Sequence, residues 1–139
     1  MKEITNEELI QMAEEVRKNS LAKLTNYTVG AALLTKSGKI YTGVNIEDEV
    51  IPSLSSCAER VTIQNAISGG DTEFLKIAIV GGKSNQKSDE SLVPCGVCVQ
   101  YMLNISKNID VIIKISNKII TKKLTELISL PYSLESDKL

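Results

Sequence analysis

Apolar and polar positions change period several times along the chain, and each change marks an element. Leu9, Met12, Ala13 and Val16 recur at helical spacing. They follow Thr5 and Glu8, a pair spaced so that hydroxyl and carboxylate each satisfy an orphan backbone donor. A first helix is therefore expected, and the mostly polar stretch 18–26 follows it. Residues 29–35 and 39–44 read as two strands joined by a turn at Ser37-Gly38. Residues 57–68 read as a helix that stops at Gly69-Gly70. The run 75–80 is apolar apart from Lys76 and suits a strand buried on both faces. Residues 81–90 are polar and read as a surface loop. A second central helix is expected over 95–104, and a β-branched strand over 109–115. A turn at Asn117 leads into a short strand, 118–121. A last short helix, 124–128, ends at Pro131.

Strands alternating with helices in the second half predict an α/β layered domain around a largely buried sheet. The 139 residues suit one domain, 1–139, with no repeat or linker to divide it. The formal net charge of −1 gives no electrostatic reason to expect nucleic acid or an anionic membrane as partner. Lysines 114, 118, 122 and 123 have no stacking aromatics beside them and read as a solvated face. Residues 1–8 are polar and lean acidic, unlike a secretory leader, and no apolar run approaches a membrane span. The expected location is cytoplasmic.

The chain has no histidine and three cysteines. That excludes Ser-His and Cys-His nucleophile pairs, and an odd cysteine count argues against a closed disulfide framework. Two fragments hold the chemistry: Cys57-Ala58-Glu59-Arg60 and Pro94-Cys95-Gly96-Val97-Cys98. A Cys-x-x-Cys pair at a helix start brings both sulfurs to one side, and the positive helix terminus favours thiolate. If Cys57 also opens a helix, three thiolates converge. A structural zinc is normally closed by four protein ligands, whereas a catalytic zinc keeps three and a water. Three sulfurs without an imidazole therefore lean toward a catalytic zinc.

Glu59, two residues after Cys57, projects elsewhere than the sulfur and can lie over the open side of the metal. There it can take a proton from water and pass it to a substrate nitrogen. Three thiolates leave a Zn²⁺ cluster net negative, so two helix N-termini and Arg60 are the candidates to withdraw charge. Each piece taken singly has a plainer reading: a buried apolar cysteine, a redox pair, a solvated helix carboxylate. The spacing of all of them together favours catalysis.

Tyr27-Thr28-Val29-Gly30-Ala31-Ala32, Gly43-Val44-Asn45-Ile46-Glu47 and the two cysteine fragments, the second extended through Val99-Gln100, resemble the small homotetrameric cytidine deaminases over nearly the whole chain. The resemblance implies a three-layer α/β/α fold on a mixed five-stranded sheet, one Zn²⁺ per chain, and no organic cofactor. It implies hydrolysis of cytidine or deoxycytidine to uridine or deoxyuridine and ammonia, in pyrimidine salvage. Cys57, Cys95 and Cys98 match the metal ligands and Glu59 the proton shuttle. Asn45 and Glu47 match the pair that binds the ribose 3′-hydroxyl. Tyr27 matches an aromatic near the base. The Ala58 backbone and Val93 carbonyl match groups that read the pyrimidine edge. Tyr132, in Leu130-Pro131-Tyr132, matches an aromatic that reaches a neighbouring subunit's site.

Three departures stand out. Val99 occupies a position usually held by Arg. Residues 48–56 depart from the family's segment and run about one residue longer. The C-terminal segment matches weakly. These departures keep other readings open: a deaminase of a modified cytosine nucleoside such as a blasticidin-like antibiotic, or a zinc-stabilised binding protein without turnover. Deaminases of tRNA or DNA are disfavoured, since they typically carry a His-Ala-Glu pattern.

Overall fold

A computed structural model of the chain describes residues 3–89 and 92–133. Residues 90 and 91, at the end of the expected 81–90 loop, lie outside the described residues. The elements in chain order are α1 (Asn6–Arg17), β1 (Tyr27–Thr35), β2 (Ile40–Val44), a 3₁₀ turn (Pro52–Leu54), α2 (Ala58–Ser68), β3 (Phe74–Lys83), α3 (Gly96–Ile105), β4 (Asp110–Ile115), β5 (Lys118–Lys123) and α4 (Leu124–Leu127). The strands form one sheet in the order β2-β1-β3-β4-β5. Only β3 and β4 pair in parallel; the other three pairings are antiparallel.

Strand alternation builds the layers. Leu33, Ile77, Ile79, Val111 and Ile113 point to one face, where Ile63 of α2 and Met102 of α3 meet them. Ala32, Ala78, Val80 and Ile112 point to the other, where Leu9, Ile10 and Ala13 of α1 cover them. The result is helix, sheet, helix, with the mixed five-stranded sheet in the middle, as the resemblance implied. Thr5 and Glu8 close the expected capping box on α1, Thr5 Oγ1 accepting from Glu8 N–H at 3.1 Å and Glu8 Oε1 from Thr5 N–H at 3.2 Å. Ser116 and Asn117 both have positive φ and form the tight turn between β4 and β5.

Two expectations need correction. β3 runs through Gly81 and Gly82 to Lys83, into the stretch expected to be loop, because β1 begins at Tyr27 and pairs with it there. The glycines are required rather than loop-forming: a Cβ on Gly82 would lie 2.8 Å from Arg17 Nη2. Arg17 itself is buried, its Nε donating to Thr28 O (3.1 Å) and its Nη2 to Lys83 O (2.9 Å). Lys114 is not part of a solvated face: its Nζ donates to Ser88 Oγ at 2.7 Å beside Glu14. Val99 is fully buried in the core under α3.

The topology sets where the helices start. β2 and β3 are both antiparallel to β1, so they run in the same direction and end at the same edge of the sheet. The chain enters α2 after β2 and α3 after β3, so both N-termini come to that edge. α2 lies so close to β2 that a Cβ on Gly43 would sit 2.4 Å from Thr62 Oγ1 and 2.7 Å from Thr62 N. Gly43→Ala is therefore expected to push α2 outward and destabilise the fold by about 1–3 kcal/mol, read as a lower urea midpoint, and to weaken zinc binding through Cys57. An unchanged midpoint would show that α2 has room to give.

Candidate active site

Cys57 and Cys95 are the N-cap residues of α2 and α3, with nearly the same extended backbone (φ −73°, ψ 154° and φ −70°, ψ 161°). Neither uses its side chain to cap its helix, so each sulfur is available to something else. Cys98 lies in the first turn of α3 and is fully buried. The three sulfurs lie within 4.8 Å of one another, and all three thiols are unpaired. Among the described residues this is the one cluster able to hold a metal ion.

The donor set suits zinc: three soft sulfurs at two positive helix termini. Arg60 Nη2 donates to Ser55 O at 2.8 Å, while its buried Nε has no hydrogen-bond partner. A buried N–H left open beside Cys57 fits a site that gathers negative charge. The Cys57 thiol is drawn down to about 6 from its usual 9.0, first by a hydrogen bond from Cys98 and then, against burial, by the Arg60 charge. Cys98 is pushed up, first by donating that bond and next by burial.

A cavity of about 270 Å³ opens on this cluster, near the lower end of small-molecule sites, which run from roughly 300 to 1,000 Å³. Glu59 is on its wall yet only 5% exposed. Burial, followed by the nearby Cys57 charge, raises its carboxyl above the usual carboxylate range. Asn45, Glu47, Ala58 and Val93 line the same cavity.

Much of the Asn45 and Glu47 bonding capacity is used inside the protein. Asn45 Oδ1 accepts from Val29 N–H (2.8 Å) and from the Ser20 hydroxyl, and Nδ2 donates to Tyr27 O at 2.9 Å. Glu47 Oε1 accepts from Leu24 and Thr25 N–H at 2.9 and 3.0 Å, and Oε2 from Thr25 Oγ1 at 2.7 Å. Burial works to raise the Glu47 carboxyl, but these three bonds outweigh it and hold the carboxyl below its usual value.

Two matched aromatics do not line this cavity. The Tyr27 hydroxyl donates to Asp89 Oδ2 at 2.7 Å, and burial, then that bond, pushes its pKa up to about 12. Val29, Ile79 and Leu92 supply the apolar wall instead. Strand alternation could have found Val29, which shares a face with Tyr27; nothing in the pattern marked Leu92. Tyr132 is held by its backbone, whose N–H and C=O pair with the Gln100 side-chain amide at 2.7 and 2.9 Å, and its ring is 69% exposed.

The unusual 48–56 segment is an ordered loop. Asp48 Oδ1 accepts from the N–H groups of Val50 and Ile51 at 2.9 and 2.7 Å. Ser56 pairs through its backbone with Ile46, and Ser55 and Ser56 return to the cavity wall. Those two are the residues of the segment that line the cavity. Val50, at its tip, is 88% exposed.

Residues 3–114 match the family model described as the cytidine and deoxycytidylate deaminase zinc-binding region. The chain belongs to that family. Its fold follows the crystal structure of cytidine deaminase from Burkholderia pseudomallei with a TM-score of 0.81 and 30% identity, over 92% of this chain and 99% of that one. Among curated relatives, blasticidin-S deaminase of Bacillus cereus is 32% identical over 91% of each chain. Cytidine deaminase of Sporosarcina psychrophila is 36% identical over 69% of this chain and 66% of its own. This deaminase is thus a hydrolytic enzyme that takes one zinc per chain.

If the three sulfurs hold that zinc, Cys95→Ser is expected to abolish stoichiometric metal in the purified protein and lower its unfolding midpoint, since such binding is linked to folding. Metal analysis and thermal unfolding check both. Full zinc content in Cys95→Ser would remove Cys95 from the ligand set.

Proposed function

We propose that this enzyme deaminates cytidine and deoxycytidine to uridine and deoxyuridine. The reading rests above all on one observation: a buried carboxylate, Glu59, on the wall of a cavity also lined by Cys57 and Cys95, whose sulfurs converge with that of the buried Cys98. Cys57, Cys95 and Cys98 are assigned as the zinc ligands. When bound, the zinc supplies Lewis acidity that makes a water easier to ionise.

The chain's own groups do the rest. Glu59 accepts one water proton and delivers it to ring N3, then takes the remaining proton of the added hydroxyl and passes it to the amino group, so that the C4–N bond breaks, water oxygen replaces nitrogen at C4 and ammonia departs. The Ala58 backbone and the Val93 carbonyl read the pyrimidine edge. Asn45 retains one amide hydrogen and Glu47 Oε2 one lone pair after their internal bonds. One donor beside one acceptor is what a sugar hydroxyl complements, so Glu47 can hold the turn 24–25, and Asn45 the start of β1, while both read the ribose. Arg60 and the two helix termini stabilise the thiolates.

A role in pyrimidine salvage and a cytoplasmic setting belong to this reading; three unpaired thiols suit a reducing compartment. So does a homotetramer, in which the exposed Tyr132 ring has room to meet a neighbour. A second reading is a modified cytosine nucleoside of the blasticidin type. It is favoured by the alignment of the Bacillus cereus blasticidin-S deaminase over 91% of this chain, against 69% for the Sporosarcina enzyme.

Ammonia release from cytidine, deoxycytidine, 5-methylcytidine, cytosine and blasticidin S separates the two readings. Turnover confined to blasticidin S would replace the first with the second. With the productive substrate, Glu59→Gln is expected to keep full zinc and lose at least about 10²- to 10⁴-fold in kcat. A Glu59→Gln protein of near-normal activity would sink the proton-shuttle role.

A further inference from the structure

The connection from β3 to α3 has to deliver Leu92 and Val93 to the cavity and Cys95 to the metal cluster. It is anchored before it arrives there, at two neighbouring residues. Ser88 Oγ donates to Glu14 Oε2 of α1 at 2.6 Å and accepts from Lys114 Nζ of β4 at 2.7 Å. Asp89 is held twice on the cavity side. Its N–H donates to Gly81 O at 2.6 Å, and its carboxylate accepts the Tyr27 hydroxyl at 2.7 Å.

The Tyr27 ring meets the same glycine as two residues of the cavity wall. A Cβ added at Gly81 would meet Tyr27 Cε1 and Leu92 Cδ2, each at 2.9 Å, and Val29 Cγ2 at 3.2 Å. Tyr27, Leu92 and Val29 therefore close over the same glycine. Leu92 and Val29 line the cavity and Tyr27 does not. Tyr27 holds the connection through its hydroxyl on Asp89, and its ring shares the space over Gly81 with Leu92.

We propose that Tyr27 and Asp89 form a clasp that positions the Leu92–Val93 wall of the cavity, so that Tyr27 acts on substrate binding through that wall rather than by touching the base. Tyr27 is a positioning residue. Removing its hydroxyl alone leaves the ring packing in place and releases only the Asp89 hold. The wall then samples more positions, which costs affinity for a ligand seated against it more than it costs the chemistry at the cysteine cluster.

The test uses full-length, zinc-loaded protein and the variants Tyr27→Phe, Asp89→Ala, Asp89→Asn and the Tyr27→Phe/Asp89→Ala pair. Tyr27→Phe and Asp89→Ala are each expected to raise KM for cytidine roughly three- to tenfold, with kcat within about twofold and zinc content unchanged. The pair should be no worse than either alone, because both remove one bond. Asp89→Asn retains an acceptor for the hydroxyl and should stay near the parent protein. Hydrogen exchange gives a second readout that needs no turnover: the Asp89 amide should exchange several-fold faster in Tyr27→Phe.

The kinetic readout rests on the proposed function, and the exchange readout does not. If the parent protein fails to turn over cytidine, that reading fails while the exchange result still decides the clasp. Unchanged Asp89 exchange in Tyr27→Phe would overturn the clasp. So would a lower unfolding midpoint with unchanged KM, which is the result of a bond that only stabilises.

Discussion

Two strands running the same way to one edge of the sheet are the constraint on which the site depends. Because β2 and β3 both lie antiparallel to β1, the helices that follow them begin side by side. Their first residues, Cys57 and Cys95, then share one backbone conformation and one neighbourhood, and Cys98 enters from the next turn. Without that geometry three cysteines would be three separate thiols. With it, two helix termini present partial positive charge to three sulfurs in a chain that has no histidine to dilute their negative charge. Arg60 adds the one full positive charge that bears on Cys57.

The close packing elsewhere follows from that requirement. α2 must approach β2 tightly enough to bring Cys57 to the edge, and glycine at position 43 is what allows the approach. On the opposite face, α1 reaches across through Arg17, whose guanidinium binds carbonyls at Thr28 and Lys83 where β1 and β3 pair. The same end of β3 leads into the connection to α3. The back layer is thus tied by hydrogen bonds to the end of β3 from which that connection leaves.

The elements and the chemistry were legible in the sequence for different reasons. Capping at Thr5, the glycine stop after Ser68 and the strand alternation are local signals, and each appears in the fold. The cysteine spacing is a local signal too, since it depends only on where two helices start. What escaped depends on contacts between distant segments. Gly81 and Gly82 look like loop residues until β1 pairs with them. Lys114 looks solvated until Ser88 and Glu14 arrive beside it. Tyr27 matches an aromatic near the base, but its position relative to the cavity is decided by Leu92 and Asp89, more than sixty residues away in the chain.

Two connections therefore frame one cavity, and they are built differently. The side that leads to Cys95 carries a metal-cluster cysteine, and it is pinned at Ser88 by side chains from α1 and β4 and at Asp89 by one from β1. The 48–56 side touches the cavity only through Ser55 and Ser56, and most of its bonds are its own: the Asp48 turn, the 3₁₀ turn at Pro52, and the Asp48 N–H on Ser55 Oγ. A loop that satisfies its own backbone can change length or sequence without moving the ligand-bearing helices. The departures expected over 48–56 can therefore be accommodated on that side of the cavity while the cysteine-bearing helices stay where they are.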